Sequence, residues 1–384
     1  MDRKVNIKTN PAVLKWARES LNISKSHAVE SLDISTKQLE QIESGELPPT
    51  IDELKSMSKA YKRTIATLLL NAPPIEKPLP RDYRTIDSSR IGLFDEKTFI
   101  AVRKARALTQ SLLELYNELN IKSPGFNWNA SMNDNPAQLG VHFRELLKIN
   151  EIPAFDDKNL FLEACIEKLE EVGIAIFQLS LTQDGIRGFS LIDEIIPVII
   201  LKRNEQPSAK VFTLFHELGH ILLNEGGLCN IALSQNDPKI EQWCNTFSAE
   251  LLVPSSLLME QDLCIEYNRK NQKEWKHKDL VELSNRFNVG PLVILRRLLT
   301  LGKTTSDYYK EKHEIWNKPQ FGRSQHPEGR NIAKETIKEK GRKYLSLVFR
   351  AYDLNKIDLK DTADFLGIKL SYITKTRQLF NSWM

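Results

Sequence analysis

Apolar residues recur at helical spacing over most of the chain and change to short unbroken runs in one stretch. Val13, Leu14, Ala17 and Leu21 share a helix face behind the cap and first-turn proline Asn10-Pro11. A second helix from Ser24 buries Ala28, Val29 and Leu32, and a third from Ser35 buries Leu39 and Ile42 and stops at Gly45. A fourth from Thr50 carries Leu54, Met57, Ala60 and Tyr61. Short helices joined by tight turns predict a helix-turn-helix bundle. Residues 71–83 hold four prolines and read as an extended, semi-rigid linker.

Helical spacing returns over 96–119 and 136–147. Isoleucine-rich runs then cover 173–180, 188–192 and 195–201, separated by the turn residues Asp184-Gly185 and Asp193-Glu194, and predict a small antiparallel sheet. Helices are expected from Ser208 to Leu223, stopping before Gly226-Gly227, from Asp237-Pro238 to Pro254, and over 278–301. Residues 303–330 are polar, read as loop or weak helix, and a helical module fills 331–384. No internal repeat is evident. The expected fold class is α+β, mostly helical. Its parts are a helix-turn-helix domain (1–72), a proline-rich linker (73–95), a domain with the small sheet (96–302) and a C-terminal helical extension (303–384).

A chain of 384 residues is too long for one ordinary core, which agrees with several domains. Its 41% apolar and 27% charged content excludes a disordered chain. A net charge of +4 permits contact with nucleic acid without demanding it. Cys165, Cys229, Cys244 and Cys264 stand singly, as expected of reduced, buried thiols. Residues 1–10 are polar and unlike a signal peptide, and the longest apolar run, 195–201, is far too short to span a bilayer. A cytoplasmic protein without a membrane partner is expected.

The chemistry concentrates in His216-Glu217-Leu218-Gly219-His220. Histidines four apart on a helix present both imidazoles on one face, where they can bind one Zn²⁺. Glu217 is turned about 100° from its neighbour. It can therefore serve as the general base for a water beside the ion, leaving both ligands in place. A plainer account is a buried helix with two satisfied histidines and an ion-paired glutamate. A catalytic zinc usually takes a third protein ligand. Glu241 is the choice, on a helix whose small polar face carries Glu241, Cys244, Asn245 and Ser248; Glu250 is the rival, with Glu225 and Cys229 as outsiders.

Phe212-Thr-Leu-Phe-His-Glu-Leu-Gly-His220, followed by Glu241-x-x-Cys-Asn-x-Phe-Ser-x-Glu-Leu-Leu-x-Pro254, resembles the ImmA/IrrE metallopeptidases. Cys244 and Ser248 stand where alanine is common in that family. The resemblance implies a gluzincin-like domain with His216, His220 and Glu241 as zinc ligands and Glu217 as the catalytic residue. Leu14-Lys-Trp-Ala-Arg18 and Ile42-Glu-Ser-Gly-Glu46 resemble an Xre-type helix-turn-helix. Arg81-Asp-Tyr-Arg-Thr85 matches a segment that recurs after such modules, and Asp361-Thr-Ala-Asp-Phe-Leu-Gly367 resembles the C-terminal extension of longer members.

What the resemblance implies is a narrow-specificity endopeptidase that cleaves a regulator, such as a phage-like or mobile-element repressor. The alternative is a DNA-binding transcriptional regulator, or an antitoxin-like partner of a toxin, whose peptidase domain serves mainly for protein binding. Strands 188–192 or 195–201 could offer an edge on which a substrate strand pairs. In the helix-turn-helix, Thr36, Lys37, Gln38 and Gln41 are the candidate DNA contacts, on the helix that would enter the major groove. Glu40 and Glu43 share that helix, and residues 1–70 hold eleven Lys/Arg against nine Asp/Glu, a weak basic footprint. A homodimer on a palindromic site is a further expectation.

Overall fold

The computed structural model describes residues 6–76, 81–82, 96–153, 155, 157–182, 186–192, 194–225, 227–229, 238–316 and 331–382. The rest of the proline-rich linker, the turn at Asp184-Gly185, Asp193, Gly226, Asp237 and residues 317–330 lie outside them. The described residues form two compact units. One takes in those up to 76, with 96–104 and Thr182; the other takes in 81–82 and the remainder from 105 onward.

The first unit opens with α1 (Pro11–Glu19), α2 (Lys25–Leu32), α3 (Thr36–Ser44), α4 (Ile51–Ala60) and α5 (Ile65–Leu68). Local chemistry sets each start. Asn10, Ser24, Ser35 and Thr50 accept from the backbone N–H of Ala12, His27, Gln38 and Glu53. Thr50 and Glu53 complete a capping box. Gly45 ends α3 at φ +85°. Val13, Leu14, Ala17, Leu39, Ile42 and Leu54 fill the small core. Arg18 bridges α1 to α3 by donating to both Glu43 oxygens, Nε at 2.7 Å and an Nη at 2.9 Å.

Further helices are α6 (Glu96–Glu118), α7 (Pro136–Leu146) and α8 (Lys158–Glu171). The sheet comprises β1 (Arg81–Asp82), β2 (Ala175–Leu179), β3 (Gly188–Leu191), β4 (Val198–Lys202) and β5 (Gly227–Cys229), in the order β1-β5-β3-β4-β2. The sheet is mixed, which corrects the expected antiparallel one. β2 runs parallel to β4, and β1 to β5, while β3 is antiparallel to both β4 and β5. β3 and β4 are both internal, so neither supplies the free edge considered for a substrate strand. Helix α9 (Pro207–Leu222) covers one face, where Ile176, Ile199 and Leu201 join its core. On the other face Phe177 meets Tyr344 edge-on, ring centroids 6.0 Å apart. Burial on both faces explains why these strands are continuous apolar runs.

The chain continues through α10 (Pro238–Leu252), α11 (Ser255–Met259), α12 (Asp262–Arg269), α13 (His277–Arg286), α14 (Pro291–Thr300) and α15 (Ser306–Trp316). The single helical stretch expected over 278–301 is divided at Asn288 (φ +54°) and Gly290-Pro291. The C-terminal helices are α16 (Ile332–Asp353), α17 (Leu359–Leu366) and α18 (Ile373–Asn381). Gly341 breaks α16 with φ 77° and ψ 167°, a conformation that suits glycine. Tyr344, just past that break, belongs to the second unit, as do α17 and α18.

Candidate metal centre

From Lys210 to Leu222 every residue of α9 except Phe212 is buried. Polar groups on such a helix need partners within the protein. Lys210, 2% exposed, donates Nζ to Gln178 Oε1 and to the Arg203 carbonyl, both at 2.7 Å, tying α9 to the end of β2. Burial, with Lys338 adding to it, brings its amine down to about 8.

Two turns further on, the Nε2 atoms of His216 and His220 stand 3.1 Å apart. Glu241 reaches them from α10, with Oε2 at 3.2 Å from His216 Nε2 and Oε1 at 3.3 Å from His220 Nε2. Exposure is 0% for both histidines and 2% for Glu241. The helices can approach this closely because residue 219 is glycine: a Cβ there would lie 3.1 Å from Cys244 Sγ and 3.3 Å from its Cα. A small residue at 244 serves the same crossing.

Glu217 is also fully buried. It faces β3, where a Cβ added to Gly188 would stand 3.7 Å from Glu217 Oε1 and only 2.6 Å from Thr213 Cγ2. Glycine at 188 therefore lets the strand lie against the glutamate.

The position of Glu241 depends on both flanks of α10. Gly140 of α7 sits against its backbone; a Cβ there would be 2.5 Å from the Phe247 carbonyl. Trp243 donates Nε1 to the Asp134 carbonyl at 3.0 Å. At the far end, Arg144 donates to the Leu251 carbonyl at 2.8 Å and Arg297 to the Val253 carbonyl at 3.0 Å. Glu250, the rival ligand, is committed here: it forms a buried ion pair with Arg297 and accepts from the Ser255 N–H at 2.9 Å.

Three buried polar side chains whose nitrogen and oxygen atoms crowd together in this way could share a cation. The two nitrogens are 3.1 Å apart and each has one Glu241 oxygen, Oε2 for His216 and Oε1 for His220, at 3.2–3.3 Å, spacings near those of adjacent corners of a tetrahedron. Bonds of about 2.0–2.1 Å place such corners about 3.3 Å apart. The donor set of two imidazoles and one carboxylate suits zinc. Burial pushes the Glu241 carboxyl up, but hydrogen bonds and charge from His216 and His220 outweigh it and hold the group well below the usual carboxylate range. Cys244 is pushed the other way, well above an ordinary thiol, by burial and by Glu241 and Glu217. His216 Nδ1 meets no acceptor among the described residues, and Phe212, stacked at 6.3 Å, packs its ring instead.

The structure thus brings His216, His220 and Glu241 together with Glu217 alongside, and sends Glu250 elsewhere. Glu225 is half-buried, and the side chain of Cys229 lies outside the described residues. Of the DNA-contact candidates, Thr36 and Lys37 are exposed on α3, Gln41 is half-buried, and Gln38 donates to Glu53 at 2.6 Å. Sequence reasoning passed over Gly188, Arg144 and Arg297. Arg297 had a signal, a charge inside the apolar run of α14; the other two had none without the tertiary contacts.

Fold and donors together define the class: an α+β protein with a buried two-histidine, one-glutamate group able to hold a metal ion. Residues 169–299 match the peptidase family described as the IrrE N-terminal-like domain, and residues 14–68 match the helix-turn-helix family. The chain thus joins an N-terminal helix-turn-helix to an ImmA/IrrE-type domain. A search of curated proteins gives no match. No helix of the described residues is long and apolar enough to cross a membrane.

Proposed function

We propose that the protein is a zinc endopeptidase of narrow specificity, with His216, His220 and Glu241 as ligands and Glu217 as general base. The observation that carries this reading is the buried group of two imidazole nitrogens 3.1 Å apart, each with a different Glu241 oxygen at 3.2–3.3 Å, with Glu217 on the same turn of α9. When bound, zinc polarises the scissile carbonyl and lowers the cost of deprotonating water. Glu217 takes the proton of the attacking water on a carboxylate oxygen and delivers it to the leaving amine. Gly188 keeps that carboxylate against β3. The full burial of His216, Glu217 and His220 keeps a passing peptide out, so a substrate must be recognised by more than its scissile bond. A regulatory protein such as a repressor fits that requirement.

A second role, duplex DNA binding by α3, is favoured by the disposition of its two acids. Glu43 turns inward to Arg18, and Glu40 pairs with Lys25 at 2.8 Å, so neither presents a free charge to a phosphate. The peptidase reading is tested by elemental mass spectrometry of purified protein beside His216→Ala and Glu241→Ala. About one zinc per chain is expected in the wild type, lost in the first variant and reduced in the second. Wild-type protein that takes up no zinc after reconstitution would end this reading.

A further inference from the structure

The C-terminal helices repeat the N-terminal helix-turn-helix at one constant offset, although no repeat was evident along the sequence. Each partner lies 334 positions further on. Val13, Leu14 and Ala17, buried on α1, correspond to Leu347, Val348 and Ala351, buried on α16. The two helices end at Glu19 and Asp353, again one offset apart. Ile23 corresponds to Ile357, both buried, and the N-cap Ser24 to the N-cap Asp358. α2 and α17 each have 8 residues and end in Leu32 and Leu366.

The turn repeats in detail. Asp33 (φ 54°, ψ 47°) and Gly367 (φ 64°, ψ 34°) both take the left-handed conformation. The next N–H folds back in each case, Ile34 to the Val29 carbonyl at 3.3 Å and Ile368 to the Ala363 carbonyl at 3.1 Å. In the helix that follows, Leu39 and Ile42 are buried, as are Ile373 and Thr376. Each copy has an ion pair between its first and third helices, although Asp353 takes the position of Glu19 and Tyr352 that of Arg18. Glu43 pairs with Arg18 in the first copy, and Arg377, at the position of Glu43, pairs with Asp353 at 2.8 Å in the second.

In such a module the last of these helices is the one that enters the major groove. In α18 and the turn before it, Lys369, Ser371, Thr374, Lys375 and Gln378 are exposed. Lys375 takes the position of Gln41. From Phe365 to Met384 the chain has no Asp or Glu, whereas α3 carries Glu40 and Glu43. The nearby acids Asp358 and Asp361 are used in the capping box of α17, and Asp364 stands on α17, not on the outward face of α18. We propose that residues 342–381 are a second helix-turn-helix module that binds duplex DNA through α18, with Lys369 and Lys375 on the phosphate backbone.

The test is fluorescence anisotropy of the full chain on a mixed-sequence duplex of about 30 base pairs, titrated with salt. Lys369→Gln/Lys375→Gln is expected to weaken binding about tenfold at low salt and to reduce the slope of log K against log[salt] by about 1.8. Lys369→Arg/Lys375→Arg keeps the charge and should restore both, which separates loss of contact from loss of fold. Lys37→Gln reports on the first module separately. Unchanged affinity and slope in the glutamine variant overturn the proposal. So does a wild type that ignores the duplex, or a glutamine variant that binds DNA normally but releases a co-purifying protein. Zinc content of these variants stays at the wild-type level, so the outcome is independent of the peptidase reading.

Discussion

Two glutamates of the same unit meet opposite fates. Glu241, between α9 and α10, is held well below the usual carboxylate range, while Glu170, at the end of α8, is pushed up to about 8. Burial raises both. Facing Glu241 are two imidazoles within 3.3 Å. Glu170 instead lines a cavity of about 20 Å³ with Tyr116, Phe177 and Tyr344, where Lys343 opposes burial weakly and Glu167 adds to it. A cavity of that size holds about one water. Burial sets the cost of a charge, and the facing group decides whether the charge survives. The first arrangement suits a cation; the second suits a neutral acid.

The largest effect is expected at the charged centre. Glu217→Gln should lower peptide cleavage by about 10²- to 10⁴-fold with zinc retained. Cleavage near the wild-type rate would remove Glu217 from the proton transfer. Next, Arg297→Ala strands Glu250 without its buried counter-charge and should cost about 3–5 kcal/mol in urea unfolding. A loss under about 1 kcal/mol would mean that this carboxylate behaves like Glu170 and simply takes up a proton. Gly219→Ala should cost about 1–3 kcal/mol, because Cys244 must give way. It should weaken zinc binding as well, by moving Glu241 from the histidines; unaltered zinc affinity would show that the crossing does not set the donor spacing.

A pH series separates the two carboxylates. Glu170 binds a proton in the folded state up to about pH 8, and an unfolded glutamate only to about 4.5. Between these values the native state holds more protons, so stability falls as pH rises. Glu170→Gln should flatten that fall, which amounts to about 1.4 kcal/mol for each pH unit over which the two states differ. Parallel curves for wild type and variant would place Glu170 in water.

Much of the helical framework was legible because its signals are local. Asn10-Pro11, Ser24, Ser35 and Thr50 start helices where their side chains can accept from the next turn, and Gly45 ends one at positive φ. His216, Glu217 and His220 were legible for the same reason, since a spacing of four fixes a shared face. Strand pairing was not. Three apolar runs joined by turns suggested a small antiparallel sheet, yet β2 pairs parallel with β4 and β3 is antiparallel beside it. Which strands become neighbours depends on chain returning from afar, as β5 does. The repeat of 11–42 in 345–376 also escaped notice, because the two copies share few identities; what they share is burial, caps and one left-handed turn.

By itself the sequence determined where helices begin, which stretch turns to strands and which three residues of α9 are the candidates for chemistry, all matters of spacing within about one turn. Only the tertiary structure decided between Glu241 and Glu250. Both lie on α10 and both are buried, but one faces His216 and His220 and the other faces Arg297. That choice rests on Gly219 and Gly140 letting α10 press against α9 and α7, contacts between residues distant in the chain that no local pattern encodes.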